Sequence, residues 1–121
     1  MQKQATTTRC ASCGRPLRAA SSVAAGRGPK CRAKVARQAR EAARTRYAHK
    51  PQLVAKAEEL LEAGGIVLVR GRVCRTVGSR GDQYLSHPDA CNCRAGLRTR
   101  PYLCHHRIAA DIYTAALGLA A

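Results

Sequence analysis

The sequence predicts an α+β fold, on three observations. Apolar residues recur at helical spacing in two separate stretches. Three short strand-like runs lie between those stretches, broken by a Gly-rich turn, and seven cysteines stand in close-spaced groups. At 121 residues, with no Phe or Trp and much of its 45% hydrophobic fraction supplied by alanine, the chain can bury only a small core. Domains of this size usually need a disulfide, a metal or a partner. Length alone excludes large catalytic scaffolds such as barrels.

Residues 1–9 are polar, and no regular element is expected there. Residues 10–31 read as a loop-rich segment between Cys10, Cys13 and Cys31, with Gly14, Pro16, Gly26, Gly28 and Pro29 as turn formers. From Cys31 to about Tyr47 the chain is helix-compatible, with alanines and many basic residues around it. Such a helix is expected to be mostly solvated when free. Pro51 opens a second helix that Gly64-Gly65 stops, with Leu53, Ala57, Leu60 and Leu61 on one face. Glu58, Glu59 and Glu62 read as its solvated side.

Ile66–Val69, Arg72–Val77 and Gln83–Ser86 read as strands, the last two joined by a turn at Gly78-Ser79-Arg80-Gly81-Asp82. His87-Pro88 reads as a turn into a loop spanning Cys91 to Cys104. A final amphipathic helix, His106 to Leu119, carries Ile108, Ile112, Ala115, Ala116 and Leu119 on one stripe. Two units are expected, 1–50 and 51–121, with the boundary near Pro51.

Charge is the second strong signal. The chain holds 22 Lys+Arg against 7 Asp+Glu, a formal net charge of +15, and seventeen of those cations are arginine. No acid precedes Glu41, while ten basic residues do. Such an excess points to a polyanionic partner, usually nucleic acid. The N-terminus has no apolar signal core, and no apolar run is long enough to span a membrane. A cytoplasmic protein, with nucleoid association as an option, is expected, where thiols stay reduced and clustered cysteines are more often metal ligands than disulfides.

Cys91-Asn92-Cys93, then ten residues, then Cys104-His105-His106 places soft and borderline ligands where tetrahedral zinc takes them. Four protein ligands close the coordination sphere, so the site reads as structural and not hydrolytic. With its preceding hairpin and following apolar helix, this Cys-x-Cys…Cys-x-His pattern resembles the SWIM zinc finger over roughly residues 53–119. The resemblance implies Cys91, Cys93, Cys104 and His106 as ligands, with His105 between the last two unassigned. It also implies a module that binds DNA or protein, without catalytic residues.

Cys10-x-x-Cys13-Gly14 is the turn of a zinc knuckle, and Cys31 supplies a third thiol at a helix start, where the dipole favours the thiolate. The stretch Cys10-x-x-Cys13-Gly14-Arg15-Pro16-Leu17…Gly26-x-Gly28-Pro29-x-Cys31 resembles an uncharacterised cysteine motif of small bacterial and phage proteins. His49 is the nearest candidate for a fourth ligand, with Cys74 as the other spare thiol. Two zinc ions per chain are therefore expected.

The expected function is non-enzymatic: a zinc protein that binds nucleic acid, DNA in preference to RNA, with no membrane and no small-molecule substrate. Its contact residues would be Arg32, Lys34, Arg37, Arg40, Arg44 and Arg46 on the basic helix, with Arg98 and Arg100 in the metal loop. The alternative is an adaptor that docks this basic module onto a larger phage, recombination or transcription machine.

Overall fold

The computed structural model describes residues 8–94, 96–97 and 102–119. Among these, the elements run α1 (Ala20–Ala25), α2 (Pro29–Arg46), α3 (Pro51–Glu62), β1 (Ile66–Arg70), β2 (Val73–Val77), β3 (Gln83–His87), β4 (Ala90–Cys91) and α4 (His105–Ala116). The fold is α+β. Prolines at the first helical turn start α2 and α3, where the missing N–H leaves no hydrogen bond unmade. Gly64 follows α3 at φ 72°, a left-handed turn open to glycine at little cost.

The sheet is an antiparallel meander in the order β1-β2-β3-β4. β4, only two residues long, pairs Cys91 with Ser86 and Ala90 with His87, so the expected Pro88 turn closes a hairpin instead of opening a loop. Register places Ile66, Thr76 and Tyr84 in one row and Cys74, Ser86 and Cys91 in the next, on the same face. α4 covers that face. Within it Thr76 Oγ1 and Ser86 Oγ share a 2.8 Å hydrogen bond, which satisfies two hydroxyls that are almost fully buried.

α4 is the hub of the fold. It packs against α2, α3 and all four strands. The expected stripe of Ile108 and Ile112 is buried, but so are Ala109, Ala110, Asp111 and Thr114, so the helix is enclosed on most sides. It ends at Ala116, and Leu119 lies beyond it, exposed. The core joins Ala43, Val54, Ala57, Ile66, Cys74, Ile108, Ala109, Ala110 and Ile112.

One expectation needs correction. α2 is not solvated all round: Ala39, Ala43 and Tyr47 pack into the same core as α3 and α4. Alanine buries little area, but its small side chain lets α2 and α4 approach closely. Across Pro51, α2 therefore contributes to the same core as α3 and α4.

Candidate metal centres

The C-terminal centre is built from the hairpin and the mouth of α4. β4 carries Cys91, Cys93 follows it, Cys104 is the N-cap of α4, and His106 lies in its first turn. All four residues are buried, and their ligand atoms lie within 4.8 Å of one another. A zinc tetrahedron with Zn–S near ~2.3 Å has S···S edges of about 3.8 Å, so the cluster needs only a small contraction. A Cβ on Gly96 would collide with the Cys91 carbonyl, so this loop passes the ligand strand at a point open only to glycine.

The donor set fits a metal. Neither Nδ1 nor Nε2 of buried His106 has a hydrogen-bond partner. An orphaned buried imidazole costs roughly 1–3 kcal/mol, and a metal bond removes that cost. The thiols are polarised against each other. A hydrogen bond from Cys104 drops the Cys91 thiol to about 3 against the cost of burial, aided by Ser86, while that same bond and burial push Cys104 up. A divalent cation would replace the shared proton. His105 is not one of the four; its ring packs 4.1 Å from that of His106, and burial, then the neighbouring charges of His106 and Lys56, lowers it to about 4.

The N-terminal centre is a knuckle. Arg9 and Pro16 form a short antiparallel bridge, Cys10 N–H donates to Arg15 O at 2.8 Å, and Gly14 N–H donates to Cys10 O at 2.9 Å. This turn, with Gly14 at φ 76°, brings Cys10 and Cys13 to Cys31 in the first turn of α2. Backbone N–H groups of Cys13, Gly28 and Ser12 point at the Cys10 sulfur and lower its thiol to about 6. Cys31, expected to be the helix-stabilised thiolate, is instead pushed up to about 11, because it hydrogen-bonds to Cys10 and Cys13 and is partly desolvated.

The fourth ligand expected at His49 does not join this cluster. α2 is 18 residues long, about 27 Å at 1.5 Å per residue, and His49 lies exposed beyond its far end. Cys74 is fully buried on β2 in the core, with its thiol raised by burial. His49→Ala and Cys74→Ser should therefore leave zinc per chain unchanged by elemental analysis, while Cys10→Ser should lower it by one ion.

The basic residues divide. Arg44 Nε donates to Glu58 Oε1 at 2.9 Å, and Arg40 reaches Glu62 at 3.6 Å. Arg46 donates to the buried Asp111 carboxylate. Tyr47 OH donates to the same carboxylate at 2.6 Å, and Arg72 Nη2 at 3.0 Å, while Arg72 Nε bonds Thr114 at 3.0 Å. Arg32 is half-buried with its Nε unbonded. Lys34 and Arg37 are exposed and form no ion pair among the described residues. Arg98 and Arg100 lie outside the described residues.

Asp111 escaped the sequence reading, yet a signal was present. It is the only acid after Asp89, set on the apolar stripe of α4 in a chain with a large cationic excess.

Fold and site define a small α+β protein with, among the described residues, two thiol clusters able to hold metal ions, one of four ligands and one of three. Residues 2–36 match a family of unknown function, DUF6011, a span that takes in Cys10, Cys13 and Cys31. No curated protein and no solved structure matches the chain. Among the described residues no helix is long and apolar enough to cross a membrane.

Proposed function

We propose that the chain is a non-enzymatic zinc protein that binds nucleic acid, DNA by preference, through its cationic N-terminal half. Zinc is favoured by all-sulfur and sulfur–nitrogen donor sets at tetrahedral spacing. The C-terminal cluster has the layout of a SWIM-type finger, with Cys-x-Cys at the end of a hairpin and Cys-x-His at a helix mouth.

The observation that carries the nucleic-acid reading is the distribution of unbalanced charge. The acids of α3 and α4 take up Arg40, Arg44, Arg46 and Arg72. Arg15, Arg18, Lys30, Lys34 and Arg37 stay exposed, without an ion pair among the described residues. The contact set therefore moves toward the knuckle and the first turns of α2. Arg46 leaves it, since it already serves a buried carboxylate.

Each phosphate contact contributes about −0.9 to the slope of log affinity against log salt on duplex DNA. The double variant Lys34→Ala/Arg37→Ala should flatten that slope by roughly 2 and weaken unrelated duplexes alike. Fluorescence anisotropy across a salt series measures this. No detectable binding at low salt would reject nucleic acid in favour of the adaptor reading. One observation favours that second reading: the sheet face away from α4 exposes Val67, Val69, Val77 and Leu85, an apolar surface suited to a protein partner.

A further inference from the structure

The N-terminal cluster offers three thiols to a metal that prefers four ligands. Every other ligand-type side chain is placed elsewhere. Cys74 is in the core, Cys91, Cys93, Cys104 and His106 form the second centre, and His105 packs on His106. His87 lies beside Asp89, and His49 lies past the far end of α2. The first acid, Glu41, stands ten residues along α2 from Cys31, about 15 Å away. Residues 1–7, 95, 98–101 and 120–121 include no Cys, His, Asp or Glu.

The three thiols open onto a cavity of about 700 Å³, within the size range of small-ligand sites. Its walls also carry Arg15, Arg18 and Lys30. A divalent ion on three thiolates carries a net charge of −1, so a fourth, anionic ligand is held only where nearby cations offset it. Here three do.

We propose that a metal ion held by Cys10, Cys13 and Cys31 takes its fourth ligand from outside the chain, an oxygen of a phosphate group seated among Arg15, Arg18 and Lys30. The inference rests on metal occupancy of this cluster. Phosphate fits better than carboxylate because, after giving one oxygen to the metal, it keeps further oxygens for two guanidinium forks and an ammonium. A carboxylate keeps one. The phosphate can be a free anion or part of a nucleic-acid backbone: both give the metal an anionic oxygen, and the backbone diester keeps one non-bridging oxygen for the cations.

Ser22 is the internal competitor, since its buried side chain lines the same cavity. A neutral hydroxyl is a weaker zinc ligand than an anionic oxygen, and Ser22 adds no charge to balance the cationic wall.

Cobalt(II) substitution in the full chain tests the proposal, because visible cobalt bands report the ligand set and thiolate charge-transfer bands report metal retention. Cys10→Ser supplies the baseline of the C-terminal centre alone. Inorganic phosphate should shift the visible bands saturably in the wild-type chain and not in Cys10→Ser. A triple variant, Arg15→Gln/Arg18→Gln/Lys30→Gln, should keep the charge-transfer bands and need at least tenfold more phosphate.

A short duplex without terminal phosphates that gives the same shift identifies backbone phosphate as a source; a shift with inorganic phosphate alone identifies a free-anion site. Bands that ignore phosphate, an equal response to acetate, or an unaltered response in the triple variant would each overturn the proposal. So would a phosphate-free spectrum that changes on Ser22→Ala. Loss of the N-terminal charge-transfer bands altogether would instead remove the metal reading on which it rests.

Discussion

Cys104→Ser and His106→Ala should each abolish the cooperative thermal transition of the chain, and excess chelator should do the same to the wild type. Among the described residues the core has nine buried members, four of them alanine, with Val54, Ile66, Ile108 and Ile112 as its larger side chains. That is little apolar area with which to offset chain entropy. A structural zinc site contributes on the order of 10–16 kcal/mol to folding, against typical domain stabilities of about 5–15 kcal/mol. Both ligands also sit at the start of α4, the helix every other layer packs on, so losing the metal releases the hub. Circular dichroism melts with and without added zinc measure the effect. His105→Ala is the control: its neighbour is a ligand but it is not, and it should keep a cooperative melt.

The second large effect should follow Asp111→Ala, a loss of about 3–5 kcal/mol read from the urea midpoint. The carboxylate is 6% exposed and accepts from Arg46, Tyr47 and Arg72, which tie α2 and the β1–β2 connection to α4. Removing it strands Arg72, whose side chain is only 19% exposed, in a partly buried site. Arg46 has a 58% exposed side chain, so Arg46→Ala leaves a smaller penalty, up to about 1 kcal/mol.

Burial alone would raise the Asp111 carboxyl, but hydrogen bonds from Tyr47, Arg46 and Arg72, with the charge of Arg46, outweigh it and hold it below the ordinary value. A depressed carboxyl stabilises the fold above its unfolded value of about 4 and loses that contribution as pH falls through the folded value. Acid titration of the wild type should therefore show a loss of stability below about pH 4 that Asp111→Ala lacks.

Local punctuation made much of the fold legible. Pro51 and Gly64-Gly65 bracketed α3, the turn at 78–82 separated β2 from β3, and the Ile108–Ile112 spacing marked α4. What stayed hidden depends on space. α1 is six residues of small side chains within a Gly- and Pro-rich stretch, and β4 is two residues whose pairing is set by the ligand loop. His49 is close to the knuckle in sequence but a rigid helix carries it away, while Asp111 finds its partners at separations of 39 to 65 residues. The four-ligand cluster could be read because its spacing is short and local; the cavity beside the three-thiol cluster could not, because Arg15, Arg18 and Lys30 meet only after α1 folds back.

Native mass spectrometry of the intact chain, purified without added metal and with thiols counted by alkylation, tests the central claim most directly. Two zinc ions bound to a chain whose seven cysteines are all reduced is the predicted result. A metal-free chain, or one whose cysteines are paired as disulfides, would contradict the account.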